Sequence, residues 1–371
     1  MLRAMILELV LFIIGYILFI FLTLFIYKKS KNKNFACIVI TLLLILYASI
    51  RYNVGSDYDT YYKQYNEILF YFDSIKKIII SNSQYGFSLL MYLTRNLIGG
   101  KYSIFTVVAF LIYPYTIYKI KKESSDFSES LFIYFVLQFH MISLNLLKQV
   151  ISMTLFLKNK YYILNNKLVK CVLFSYLMTT FHFSSIVSII ILFISKKINP
   201  TKKKMFIILI ISVILLFIYK PLILNFGYFD RYFVYVYNIN KEYYIQTIGA
   251  IIYLIMNIII LFLLLGEKNN LIKIKQENKV ILSALLLTIP FKVLAIDNFP
   301  IYRLSLYIDQ LLIFIIPDYI NLKKQKCNDS QKFKKGYLMY IFVMIILLCL
   351  EIVFIPHNNF YTYTTIFGRG D

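Results

Sequence analysis

The sequence predicts an all-α integral membrane protein that crosses the bilayer about 12 times. Of its 371 residues, 60% are hydrophobic and only 16% are charged, and the mean hydropathy is +0.70. Near-continuous apolar runs of about 15–24 residues recur along the whole chain, and this is the length that a helix needs to cross the hydrocarbon core. The runs lack the period-two alternation of barrel strands, and only helices and closed barrels satisfy their backbone groups in lipid.

The predicted crossings follow these runs one by one. No soluble domain of ordinary size fits between them, so we treat residues 1–371 as a single transmembrane domain. The first run is long for a signal peptide and lacks a clear small-x-small cleavage site, and we interpret it as a retained helix. The crossings are 4–27, 35–50, 102–118, 128–143, 145–158, 168–181, 183–195, 205–219, 246–265, 280–296, 304–319 and 337–355, with long outer loops at 51–101 and 220–245.

The lysines set the predicted orientation, because cytoplasmic loops carry an excess of basic residues. With both termini outside, six short inner loops hold 26 of the 40 basic residues, and all of these are lysine. This topology accounts for the net charge of +22, so we predict no nucleic-acid partner. The inner loops are 28–34, 119–127, 158–170, 196–204, 266–279 and 320–336.

The arginines lie on the other side of the predicted membrane. Lysine serves the topology rule as a point charge, whereas arginine binds phosphate and carboxylate through two parallel hydrogen bonds. The outer face is therefore a candidate anion-binding face. The alternatives are chance placement in a lysine-rich chain and snorkelling at helix ends. The arginines on or near the outer side are Arg3, Arg51, Arg95, Arg231 and Arg303.

The densest group of polar side chains is the stretch 51–61, which opens the first outer loop. It combines a cation, two carboxylates, a glycine suited to a turn and several tyrosines. The aspartates are candidates for proton transfer, with solvated carboxylates or helix caps as the alternative. An Asp-x-Asp can also hold a divalent cation, but this spacing is common and we favour a site without metal. The candidates in this stretch are Arg51, Gly55, Asp57, Tyr58 and Tyr61.

Two segments of the first outer loop predict helices. In 66–80, four apolar residues share one helical face, which predicts an amphipathic helix lying on the bilayer. The run 85–95 is short and interrupted, and we interpret it as half-buried or re-entrant, because a full crossing would turn every later lysine-rich loop outward. The shared apolar face consists of Ile68, Phe72, Ile75 and Ile79.

Residues 168–195 are apolar but are broken at 179–185, and lysines flank both ends. Both ends should therefore be cytoplasmic, so the chain must go in and return as two short helices with His182 at the turn. Broken helices are tolerated where they line a cavity in the protein. His182 is a candidate base, and a satisfied core histidine is the alternative.

Further polar candidates begin the fifth crossing and occupy the second outer loop. Ionisable groups at membrane depth are expensive and are functional hypotheses by default. Several cations beside a histidine and carboxylates suit a transfer reaction with a phosphate leaving group. The four cysteines lie far apart and predict neither disulfides nor a metal site, and no cofactor is expected. The polar candidates at the start of the fifth crossing are Lys148 and Gln149, and those in the second outer loop are Arg231 and Tyr232.

The residues singled out above resemble the EpsG family, which is akin to the Wzy-type polymerases of capsule, exopolysaccharide and O-antigen. The main motif is Arg51-Tyr-x-Val-Gly55-Ser-Asp57-Tyr-x-x-Tyr61. Two positions depart from the family pattern, which has an acid at Gln84 and arginine at Lys148. The supporting segments are Gln84-Tyr-Gly-Phe87, Leu147-Lys-Gln149, Phe181-His182-x-Ser184-Ser185, Arg231-Tyr232 and Arg303-Leu-x-x-Tyr307.

The resemblance implies an enzyme of the bacterial cytoplasmic membrane with a fold like the GT-C glycosyltransferases. Its substrate would be a polyprenyl-pyrophosphate-linked oligosaccharide at the outer face, under a roof formed by the two long outer loops. Chain-length regulators and flippases would be its protein partners. In this interpretation His182, Asp57 and Arg231 are catalytic. The substrate-binding residues are Arg51, Gly55, Tyr58, Tyr61, Lys148, Gln149, Tyr232 and Arg303.

Two other functions fit the sequence less well. A glycosyltransferase that adds one sugar from a lipid-phosphate donor is favoured by the Asp-x-Asp of the first outer loop, and metal dependence would distinguish it. A transporter or flippase for anionic lipid-linked substrates should show internal repeats and midplane cations. The sequence shows no repeat, and its arginines cluster near one face.

Overall fold

The computed structural model describes residues 2–81, 84–224, 241–327, 329–354 and 363–366. Regular structure in these ranges is helical apart from one pair of two-residue strands. The predicted transmembrane domain contains two compact units. Unit 1 is Met1–Ile186 with His357–Asp371, and unit 2 is Val187–Pro356.

Unit 1 is built from helix pairs. Helix α2 packs along α6, and α9 packs along α10. The strands β1 (Arg51–Tyr52) and β2 (Thr364–Thr365) pair antiparallel. The helices are α1 (Leu2–Lys29), α2 (Lys33–Ser49), α3 (Tyr58–Tyr71), α4 (Ile75–Ser81), α5 (Tyr85–Leu97), α6 (Ser103–Glu123), α7 (Phe127–Val136), α8 (Phe139–Asn145), α9 (Leu147–Leu164) and α10 (Leu168–Phe181), and α11 (Ser185–Ser195) continues into unit 2.

Unit 2 combines long helices with several short ones. Helix α12 packs on α16, and α13 packs on α19. The elements are α12 (Lys202–Leu224), α13 (Lys241–Gly266), α14 (Lys268–Ile274), α15 (Glu277–Leu287), α16 (Ile289–Leu294), the 3₁₀ helix η1 (Phe299–Leu304), α17 (Leu306–Asp309), α18 (Leu312–Lys326) and α19 (Ser330–Phe354).

Several helix ends carry the residues that helix chemistry favours. The Asn32 side chain accepts the backbone N–H groups of Asn34 and Phe35 and so caps α2, and Asp126 caps α7 through Glu129. Helices α1, α6 and α18 carry lysines in their last turns, where a cation interacts favourably with the helix dipole. These lysines of the predicted inner loops therefore also stabilise helix C-termini.

Each predicted crossing coincides with helical structure, but the helices differ in length. Within the described ranges, four helices are long and apolar enough to cross a membrane: α1, α6, α13 and α19. A fifth crossing is possible if α7 and α8, which are bent by 50° at Leu137 and Gln138, form one broken span. The membrane-protein class is confirmed, whereas the count of twelve and the GT-C-like arrangement stay predictions.

The prediction of a single amphipathic helix over 66–80 is wrong. Helix α3 ends at Tyr71, Phe72 has an extended backbone, and α4 begins at Ile75. The break falls at Asp73 and Ser74, two residue types that favour caps over helix interiors. The predicted apolar face is divided as a result, because Ile68 is buried while Ile75 is exposed.

Two other predictions about local structure are confirmed. The apolar stretch 168–195 forms two short helices, α10 and α11, with His182 directly after the first. The run at 85–95 forms α5, which buries Phe87 and Met91 and leaves Leu97 exposed. The lysines flanking 168–195 and the interrupted apolar pattern of 85–95 were therefore sufficient to find these helices.

Candidate functional site

Arg51 begins the stretch 51–61, called the first outer stretch after its predicted side of the membrane, and is buried, with only 1% of its surface exposed. Its Nη1 donates to the carbonyl oxygen of Ala48, and Nη2 donates to that of Leu144 at 3.1 Å. The guanidinium carbon lies 4.7 Å from the ring centroid of Phe105. Burial lowers the pKa of Arg51, and the carbonyls and the ring face compensate for the lost hydration. Arg51 thus links the end of α2 to the end of α8.

Gly55 and Asn145 bring the first outer stretch against the end of α8. Gly55 has φ +99°, and a Cβ atom there would lie 3.0 Å from Asn145 Oδ1. The same Oδ1 accepts the Asp57 backbone N–H at 2.9 Å and the Ser56 hydroxyl at 3.3 Å. Only glycine combines this backbone with so close an approach. The turn predicted at Gly55 is therefore a docking point on α8.

The two tyrosines of the first turn of α3 are packed against aromatic rings. Tyr58 stacks on Phe105 with a centroid distance of 4.5 Å and an interplanar angle of 6°. Tyr61 meets Phe87 of α5 edge to face at 5.4 Å. Both tyrosines are buried, so their rings fix the position of α3.

Lys148 lies in the first turn of α9 and is half-buried. Its Nζ lies 5.5 Å from the ring centroid of Phe87 and 5.9 Å from that of Tyr61. Among the described residues it makes no hydrogen bond or ion pair, although the Asp57 carboxylate is close enough to interact with it electrostatically. The neighbouring Gln149 is buried. The ammonium of Lys148 adds its charge to the positive end of the α9 dipole.

Asp57 occupies the N-cap position of α3, but its side chain makes no capping hydrogen bond. The residue is half-buried, and its backbone is held by Asn145. Within the part of the chain that the structure describes, the site therefore contains a carboxylate and an ammonium that neither a helix cap nor a direct ion pair engages.

His182 follows the last residue of α10, and its Nδ1 lies 2.6 Å from Ser184 Oγ. One contact between α9 and α10 gives the level of His182 relative to Lys148, that is, its position along the helix axes. In this contact the Ser152 hydroxyl donates to the Met178 carbonyl oxygen at 3.1 Å. Lys148 lies one turn before Ser152, and His182 lies one turn after Met178. Because α9 and α10 run antiparallel, Lys148 and His182 lie at the same level of neighbouring helices.

The start of α5 lies against α10 near this level. A Cβ atom on Gly86 would lie 2.5 Å from Thr180 Oγ1, and the hydroxyls of Tyr85 and Tyr176 are 2.7 Å apart. The next residue, Phe87, is the one that contacts Lys148. Four segments far apart in the sequence therefore converge in unit 1: the first outer stretch, the start of α5, the junction of α8 and α9, and the end of α10.

The remaining predicted residues lie elsewhere. Arg303 is half-buried in η1 of unit 2, and Tyr307 of the same motif is buried. Arg231 and Tyr232 fall outside the described residues. Within the ranges that the structure describes, no group of three or more His, Cys, Asp or Glu side chains is arranged to hold a metal ion.

Comparison with known proteins places the chain in a family. The sequence profile of the EpsG family matches residues 34–365, nearly the whole chain. The chain belongs to the EpsG family. EpsG proteins are Wzy-type polysaccharide polymerases. No curated protein and no solved structure matches the chain.

The EpsG match spans all the motifs that carried the resemblance, but sequence reasoning missed part of the polar interior. Lys292 is not among the predicted residues, and its Nζ lies 2.7 Å from Asp309 Oδ1 inside unit 2. His140 is not among them either, and it is buried in α8 beside Tyr16. A signal for the first pair was present, because opposite charges lie in two consecutive apolar runs, 280–296 and 304–319.

Proposed function

We propose that this EpsG protein polymerises lipid-linked oligosaccharide repeat units at the outer face of the bacterial cytoplasmic membrane. It transfers the growing glycan from polyprenyl pyrophosphate to the non-reducing end of a new lipid-linked unit. Family membership supports polymerisation. The observation that carries the proposal is the convergence in unit 1 of Lys148, Asp57 and the segment of His182.

Lys148 is the proposed ligand of the pyrophosphate. Its ammonium is half-buried over two ring faces at the start of a long helix, where backbone N–H groups and the dipole also favour an anion. Because no carboxylate of the described residues is hydrogen-bonded to the Lys148 ammonium, this cation can bind an anionic ligand. The charge that develops on the departing pyrophosphate would be stabilised there.

The proposed reaction is a displacement at C1 of the sugar that joins the growing glycan to its carrier. The acceptor hydroxyl loses its proton to a base, and its oxygen forms a bond to C1. The bond between C1 and the pyrophosphate oxygen breaks, and the electron pair leaves with the polyprenyl pyrophosphate. No oxidant, reductant or cofactor is required.

Asp57 and His182 are the two candidates for the base. The Asp57 carboxylate is not used as a helix cap, so it can accept a proton from a hydroxyl. His182 lies beside Ser184 Oγ through its Nδ1, and an imidazole can accept a proton from a hydroxyl. Both lie in segments that meet around Lys148.

The proposal assigns Arg51 and the two tyrosines a positioning role. Arg51 is bonded to carbonyl oxygens on two elements, and Tyr58 and Tyr61 are packed on rings. These contacts hold Asp57 beside Lys148. Arg303 in unit 2 is proposed to bind an anionic group of the substrate, and Arg231 and Tyr232 keep their predicted roles.

Cells that lack this protein provide the first test. We expect single complete repeat units to accumulate on the lipid carrier at the outer face, because units still arrive but are no longer joined. An incomplete unit on the carrier would instead indicate a transferase that adds one sugar. Complete units confined to the inner face would indicate a transporter, and either result would overturn the proposal.

The role of Lys148 is tested by Lys148→Met, which keeps most of the length of the side chain and removes its charge. We expect polymer formation to fall about 10²- to 10³-fold, as for the loss of one electrostatic contact to a transition state. The matched control is Lys158→Met in the same helix. Lys158 is also half-buried, with its Nζ 5.6 Å from the ring centroid of Tyr162, but it lies near the other end of α9. Equal losses in the two variants would contradict the assignment.

A further inference from the structure

A buried polar network in unit 2 contacts η1, the short 3₁₀ helix that carries Arg303. Lys292 and Asp309 are at its centre, with only 3% and 1% of their surfaces exposed. Lys292 Nζ donates to Asp309 Oδ1 at 2.7 Å, to Asn257 Oδ1 at 3.0 Å and to Thr288 Oγ1 at 3.2 Å. All three donors of the ammonium are therefore used.

Asp309 connects this pair to η1. Its Oδ2 accepts the Tyr253 hydroxyl at 2.7 Å and lies 2.6 Å from Ser305 Oγ. Ser305 Oγ is also 2.9 Å from the carbonyl oxygen of Tyr302. The Tyr253 ring packs edge to face on the Tyr302 ring at 5.9 Å. The network thus contacts Tyr302 and Ser305, which lie on either side of Arg303 in the sequence.

Such a network is an unexpected way to stabilise a fold. Desolvating a lysine and an aspartate costs about as much as their attraction returns, and apolar residues of similar size often serve as well. The element that the network holds, however, needs external support. A 3₁₀ helix has poorer hydrogen-bond geometry than an α-helix and is stable only in short pieces. Rigid placement of η1 is what this network provides.

We propose that Lys292 and Asp309 are positioning residues that fix η1 so that Arg303 presents its guanidinium to a pyrophosphate group. The inference rests on the proposed function, because that function assigns Arg303 an anionic ligand. Tyr253 has the same positioning role, since its hydroxyl donates to Asp309 and its ring packs on Tyr302. The network itself does not touch the substrate.

The test measures binding of farnesyl pyrophosphate to the full-length protein in detergent. Lys292→Met combined with Asp309→Asn removes both charges and leaves no single buried charge behind. We expect this double variant to bind farnesyl pyrophosphate about tenfold more weakly, the value of one charged hydrogen bond. Binding of farnesol should not change, because farnesol has no phosphate for Arg303 to hold.

The same double substitution is then made with Arg303→Ala already present. If the network acts through Arg303, the added loss is less than about twofold, because coupled residues are not additive. Tyr253→Phe is a milder variant that keeps the ring and removes one hydrogen bond, and we expect a weaker loss of about threefold in the same direction.

A second lysine–aspartate pair in unit 2, with a buried aspartate and a half-buried lysine, provides the control. Asp318 lies 3.3 Å from Lys275 Nζ and 3.2 Å from Asn278 Nδ2, away from η1 in the sequence. Lys275→Met combined with Asp318→Asn should leave the affinity for farnesyl pyrophosphate unchanged.

Unchanged binding of farnesyl pyrophosphate by the double variant would overturn the positioning role and leave the proposed function intact, and so would two other results. One is equal weakening of farnesol and farnesyl pyrophosphate, and the other is a loss that multiplies with that of Arg303→Ala. If Arg303→Ala alone leaves the affinity unchanged, Arg303 is not an anion ligand and the inference fails with that assignment. Polymerase activity would still be judged by the lipid-linked glycans of the deletion cells.

Discussion

At the scale of single residues, the candidate site depends on close backbone contacts more than on exposed charges. Gly55 illustrates this, because its φ of +99° and its approach to Asn145 both exclude a side chain. We expect Gly55→Ala to abolish polymer formation, because the added Cβ would displace Asn145 and with it the backbone of Asp57. A left-handed backbone also costs a non-glycine residue about 1–2 kcal/mol.

Gly99 is a control that separates the effect of the left-handed backbone from the effect of the contact with Asn145. It has φ +70°, but a Cβ atom there would meet nothing within 4 Å. Gly99→Ala should therefore lower the thermal stability in detergent while polymer is still made. If both alanine variants make polymer equally well, the contact between Gly55 and Asn145 is not needed for activity.

At the scale of elements, the sequence predicted those features that depend on local pattern. The lysines on both sides of 168–195 identified the break at His182, and the polar residues of 51–61 identified the first outer stretch. The burial of Arg51 was not predictable, because it depends on the carbonyl of Leu144, which is 93 residues away in the chain. The opposite charges of Lys292 and Asp309 are visible in two consecutive apolar runs, but their pairing depends on how α16 and α17 are placed around η1.

Contacts between elements also account for part of the stability at the lysine-rich helix ends. Glu123 at the end of α6 pairs with Lys119 and, at 3.1 Å, with Lys160 of α9. The Lys160 side chain is 2% exposed and that of Glu123 is 18% exposed. We expect Glu123→Gln to reduce the free energy of unfolding by about 2 kcal/mol, somewhat below the cost of breaking a fully buried pair. Thermal unfolding in detergent measures this.

An exposed ion pair of the same spacing serves as the control. Asp73 and Lys77 are paired in α4 and its N-terminal turn, with side chains 66% and 64% exposed. Exposed pairs contribute little to stability, so Asp73→Asn should leave the melting temperature almost unchanged. If Glu123→Gln also leaves the melting temperature almost unchanged, Glu123 does not join α6 to α9 in the detergent-solubilised protein.

At the scale of the whole molecule, the orientation in the membrane determines which face the candidate site serves. The sequence predicts that residue 59 is outside and residue 165 is inside, with three crossings between them. We expect Asp59→Cys to react with a membrane-impermeant maleimide in intact cells or spheroplasts. Asn165→Cys and Lys203→Cys should react only after permeabilisation, because they adjoin lysine-rich inner ends.

The labelling needs a background in which the four native cysteines are replaced by alanine, with polymer formation as the check that the protein still folds. Each pattern then has one meaning. Labelling of residue 165 but not of residue 59 in intact cells would invert the topology and place Lys148 and Asp57 at the cytoplasmic face. That result would exclude an outer-face polymerase. Labelling of both from the same side would require an even number of crossings between them, so that either one of the three predicted helical segments does not span the bilayer or α5 spans it as a fourth.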